Sequence, residues 1–92
     1  MSIYFISPSG EIIEDAGCRN HNELAKRYLE KRNISYDDQP EDHLVNKGFL
    51  KVRDEGRVKT VTHKYWLSQG QREQVDKLKE EGFAEDVVGW ER

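Results

Sequence analysis

Between Lys47 and Trp66 lie six basic residues (Lys47, Lys51, Arg53, Arg57, Lys59, Lys64) against two acidic ones (Asp54, Glu55), a local charge of +4 in a chain whose total is −3. The remainder therefore carries −7. Within this segment FLKVRDEGRVKTV alternates around Asp54-Glu55-Gly56, the pattern of a β-hairpin. Alternation puts Lys51 and Arg53 on one face of the first strand and Val52 on the other, while Arg57 and Lys59 alternate with Val58 in the second. If the register brings both pairs to one face, four cations line up there, with His63, Lys64, Tyr65 and Trp66 just downstream. Cations beside aromatic rings are what a phosphate backbone and stacked bases require. The same side chains equally suit a protein partner, and a charged hairpin face in contact with water alone is the ordinary case.

Cys18 and His21 have the spacing of a metal half-site, and His43 and His63 are the remaining histidines. The latter two are isolated from each other, so the second chelating pair that preorganises a structural zinc site is missing. A thiol near a helix N-terminus, as Cys18 is expected to be, would have a lowered pKa and could serve as a nucleophile. No base is placed beside it by the sequence, and neither a phosphate-cradling glycine loop nor a nucleophile elbow occurs. The reading is of a non-enzymatic chain with no catalytic residues, no metal and no cofactor.

Two acidic stretches, Asp37-Asp38 with Glu41-Asp42 and Glu80-Glu81 with Glu85-Asp86, could imitate nucleic-acid phosphates in a basic groove of another protein. Their commoner role is solvation, with Glu41 and Asp42 also favoured near the start of a helix. Val87, Val88 and Trp90 at one end, with Tyr65 and Trp66, are anchors of the kind that interfaces prefer, or ordinary core.

The elements that must position these residues can be read in order. Ile3-Tyr4-Phe5-Ile6, the turn cluster Ser7-Pro8-Ser9-Gly10 and Glu11-Ile12-Ile13-Glu14 predict a hairpin. Asn20 with Glu23 resembles a capping box ahead of Leu24, Ala25, Tyr28 and Leu29, so a helix is expected over 21–32, with Glu23 and Arg27 as an i, i+4 pair and Asn33 as its C-terminal cap. Pro40 opens a short helix carrying Leu44 and Val45 and ending at Gly48. After the second hairpin, Ser68 and Gln71 cap a helix over 69–81 that carries Val75 and Leu78 and stops at Gly82. Phe83 to Trp90 is too apolar for a free tail and is expected to dock on the body or on a partner. The fold class is then α+β, one small domain of order ββ-α-α-ββ-α, with an antiparallel or mixed sheet covered by helices on one face.

Ninety-two residues allow one core only, and 36% charged residues with a mean hydropathy of −0.97 leave that core thin. Neither a signal peptide nor a membrane span is expected, and a single cysteine fits a reducing, cytoplasmic compartment. An unpaired sheet edge would also let two copies associate.

This succession resembles small uncharacterised accessory proteins of bacteriophages and mobile elements. The segments that carry the likeness are the Gly10 hairpin, HNELAKRYL (His21 to Leu29), LVNKGFLKV (Leu44 to Val52) and LSQGQREQVDKL (Leu67 to Leu78). The resemblance implies an accessory protein that binds and modulates or inhibits a host protein, such as a bacterial defence complex. It carries over no functional residues. The residues expected to contact a protein or nucleic acid are Lys51, Arg53, Arg57, Lys59, Lys64, Tyr65 and Trp66.

Overall fold

The computed structural model describes residues 2–37 and 39–89. Its elements are β1 (Ser2–Ile6), β2 (Ile12–Ile13), α1 (His21–Lys31), α2 (Pro40–Asn46), β3 (Leu50–Glu55), β4 (Val58–Lys64), α3 (Gln69–Glu80) and β5 (Ala84–Val88). The strands form one mixed sheet of order β2-β1-β3-β4-β5, antiparallel except for the β4–β5 pair. The α+β class and the succession of hairpin, two helices, hairpin and helix are as the sequence predicts.

Each helix stops by the same device. Asn33 (φ 56°), Gly48 and Gly82 (φ 100° each) take the left-handed conformation. The next amide then reaches back five residues: Ile34 N to Leu29 O, Phe49 N to Leu44 O and Phe83 N to Leu78 O, each at 3.0 Å. This is the Schellman closure, in which an apolar residue after the left-handed one meets an apolar residue of the last turn. At the other end Asn20 caps α1 by accepting from Glu23 N at 2.8 Å, and Ser68 and Gln71 form the full capping box of α3. The Glu23 carboxylate accepts from Arg19 N at 2.8 Å, and Arg27 pairs instead with Asp15 at 3.3 Å. The expected i, i+4 pair gives way because both partners find fixed groups outside the helix.

Two differences concern the layers. Helices lie on both faces of the sheet and not on one: Phe5 packs with Leu24, Ala25, Leu29, Leu44 and Val45 of α1 and α2, whereas Ile6, Leu50, Val52 and Val61 pack with Val75 and Leu78 of α3. The cause is legible in β1, where Tyr4, Phe5 and Ile6 are consecutive apolar residues and a strand's neighbours point to opposite sides. The apolar tail is a fifth strand, laid parallel to β4 through the crossover helix α3. Its sequence AEDVV lacks alternation because both its faces are only partly covered. Trp90 and Asp38 lie outside the described residues.

Gln71 ties the layers together. Its buried amide donates to Ser7 O at 3.1 Å and Gly48 O at 2.9 Å, joining α3 to the first hairpin turn and to the end of α2. Gln71→Ala leaves both carbonyls without this donor in a dry site, so urea unfolding should show a loss of about 2 kcal/mol with the slope unchanged. A loss within about 0.5 kcal/mol, the range of ordinary surface changes, would show that the bridge is not structural.

Candidate interaction surface

The register of the second hairpin decides where its cations stand. Only Gly56 and Arg57 separate β3 from β4, so Glu55 faces Val58, Asp54 faces Lys59, Arg53 faces Thr60 and Lys51 faces Thr62. Residues paired across a ladder share a face, and a two-residue turn therefore matches odd numbers in β3 with even numbers in β4. Lys51 and Arg53 consequently lie on the α1–α2 side, Lys59 lies on the α3 side over the Phe83 ring at 5.6 Å, and Arg57 occupies the turn. The four cations do not form one face; that arrangement would need an odd-numbered turn.

The two that do share a face are matched with carboxylates. Lys51 Nζ is 3.0 Å from Glu41 Oε1, and the Arg53 guanidinium holds Glu55 through two bonds of 2.8 and 3.0 Å. Bonding to Arg53 holds the Glu55 carboxyl below its ordinary range. A groove of about 800 Å³ beside the start of α1 collects Arg19, Lys51 and Arg53 together with Glu41, Glu55 and Asp86, so its charges are balanced. A polyanion gains little from such a surface.

Cys18 and the histidines are dispersed. Burial pushes the Cys18 thiol up, against the Arg27 charge that works to lower it, so the lowered pKa expected from the sequence is not found. His21, at the first position of α1, is buried and its Nε2 bonds Val52 O at 2.6 Å, so it braces the helix against the sheet. His43 packs its ring against Tyr36. His63 is buried on the α3 side, with Nδ1 on the Lys64 carbonyl and Nε2 on Glu85 at 2.7 Å. Among the described residues no three histidine, cysteine or acidic groups converge as a metal site. No described helix is long and apolar enough to cross a membrane.

Sequence reasoning missed the cluster around Glu85. This carboxylate of β5 receives His63, Arg72 at 3.3 Å and Lys79 at 3.2 Å. Burial works to raise its pKa, but the bonds from His63 and Lys79 and the charge of Arg72 outweigh that and hold it below its ordinary range. With Glu41 on Lys51 and Glu85 in this cluster, each acidic stretch has a member bound into the fold. No local pattern signals such a cluster, because its partners are separated by up to 22 residues.

Lys64, Tyr65 and Trp66 stand apart, at the end of β4 and before the Ser68 cap. Tyr65 is 52% exposed and Trp66 49%, and their rings meet edge to face at 4.8 Å. Lys64 Nζ lies 6.0 Å from the Trp66 centroid. Val87 and Val88, the other proposed anchors, are half-buried strand residues, with Val88 packed on the α1–α2 core. No family model, no curated protein and no solved structure matches the chain.

His21 also predicts how stability responds to pH. Burial, assisted by the Lys51 charge, lowers its pKa in the folded state despite the bond to Val52. The unfolded chain, with an ordinary histidine pKa of about 6.5, then binds more protons just below that pH. Stability is complete above about pH 6.5 and falls as pH drops toward the folded-state value. Urea midpoints measured from pH 7.5 down to 5 should decline, and His21→Gln, which retains a donor for Val52 O, should flatten the decline; equal slopes in both would refute the assignment.

Proposed function

We propose that this chain is a non-enzymatic binding protein that works inside a cell by engaging another protein through Tyr65 and Trp66. The observation that supports the reading is the exposure of two adjoining aromatic rings on a chain that has few apolar residues with which to fill its core. Interface anchors are enriched in tyrosine and tryptophan, whose large area can be buried with little loss of side-chain freedom. The sequence likeness to phage and mobile-element accessory proteins supports a host protein as the partner, with inhibition of a defence complex as one form of the activity. Nucleic-acid binding by the hairpin has less support, since Lys51 and Arg53 are ion-paired and Lys59 is on the opposite face.

A pull-down from nuclease-treated bacterial lysate checks the reading. The wild-type chain should retain a stoichiometric protein that the Tyr65→Ala/Trp66→Ala double variant, folded by circular dichroism, does not. Retention by both, or by neither, counts against it. In parallel, Arg53→Glu/Lys59→Glu should leave the weak affinity for single-stranded oligonucleotides unchanged. A steep salt dependence that this variant abolishes would favour the hairpin instead.

A further inference from the structure

The aromatic pair has a charged neighbour that is held in place. Lys64 lies across Gly89 so closely that a Cβ at that position would come within 3.0 Å of its Cδ and Nζ. Gly89 adopts φ +83°, a conformation side chains rarely take, and a Cβ there would also stand 3.5 Å from Tyr65 Cδ1. The end of β5 thus seats the lysine stem and directs its ammonium toward the Trp66 ring. Lys51, Arg53 and Arg72 have carboxylate partners; among the described residues Lys64 has none. The first turn of α3, which begins three residues after Trp66, contains no acidic residue, unlike those of α1 and α2. Asp86, on the face that carries Lys64, is exposed and stands opposite Thr62, and the half-buried Glu85 on the other face is occupied by His63, Arg72 and Lys79.

From this we infer that Lys64, seated on Gly89, makes the Tyr65–Trp66 surface selective for an acidic peptide segment, one in which an apolar side chain lies next to a carboxylate. The inference rests on the proposed protein-binding role and adds the chemistry of the partner. The apolar group covers the two rings while the carboxylate meets the ammonium at their edge. A cation in the partner at that point is repelled, so the lysine discriminates more than it tightens.

A displayed library of random peptides, selected separately on four folded proteins, tests this. Wild type should select apolar residues with adjacent Asp or Glu. Lys64→Glu should select Lys or Arg at the same place, and Lys64→Gln should lose the charge preference while retaining the apolar one. Tyr65→Ala/Trp66→Ala should select nothing. Against the best acidic peptide, Lys64→Gln should weaken binding about two- to fivefold, as expected for a partly exposed pair. Acidic enrichment that is absent, or unchanged in Lys64→Glu, overturns the inference and leaves the binding role standing if the double aromatic variant still loses selection. Selection unaffected by the double variant, or none by wild type, overturns both. Tighter binding of a thymidine homopolymer than of any peptide, lost in Lys64→Glu, replaces the acidic peptide with nucleic acid.

Discussion

Two-sided burial of strand β1, beside β3 and β4 whose core residues all face α3, is the constraint from which the other features follow. Phe5, Leu50, Val52 and Val61 are completely buried, yet Phe5 faces α1 and α2 while the other three face α3. A chain with only 35% hydrophobic residues cannot supply two thick cores. It divides a thin one between the faces and relies on closures at the helix ends to hold each layer in register. Leu29, Leu44 and Leu78 each anchor such a closure, and Phe49 and Phe83 convert the chain reversal after a helix into core contact. Gln71 supplies the polar counterpart, since the carbonyls it satisfies belong to two different turns.

Charge is organised by the same sheet. Because both faces are partly covered, basic side chains on the strands do not project into open solvent as a row. They meet acidic groups brought by the helices and the strand ends: Lys51 meets Glu41, and Glu85 gathers His63 from β4 with Arg72 and Lys79 from α3. The +4 segment in the sequence is therefore not a +4 surface. Linear charge segregation predicts a potential only when the fold keeps the segregated residues together, and here the two-residue turn separates them.

Local rules made much of the fold legible. Asn20, Ser68 with Gln71, Pro40, Asn33, Gly48 and Gly82 are signals whose partners lie within five residues, and every one marks an observed helix boundary. What needed long-range information was not legible. β5 owes its strand character to a parallel neighbour across a helix, and AEDVV has no alternation to announce it. The helices' division between faces was present in Tyr4-Phe5-Ile6 but outweighed by the hairpin pattern around it. At the candidate surface, Lys64, Tyr65 and Trp66 were recognisable by type, whereas the seat provided by Gly89 depends on the register of β5 against β4.

The location of the aromatic pair suits recognition for a mechanical reason. Tyr65 follows the last residue of β4, whose ladder continues to Lys64 on one side through β5, and Trp66 stands two residues before the Ser68 cap. A connection this short between a paired strand and a capped helix has few conformations to lose. The rings, already in edge contact, and the lysine, already laid on a glycine, would be ordered before a partner arrives. Association through a preformed group avoids the entropy that a flexible loop would surrender, so a small surface can reach useful affinity. A chain whose thin core leaves little stability to spare gains most from placing its exposed aromatics at such a junction, where exposure does not loosen either neighbouring element.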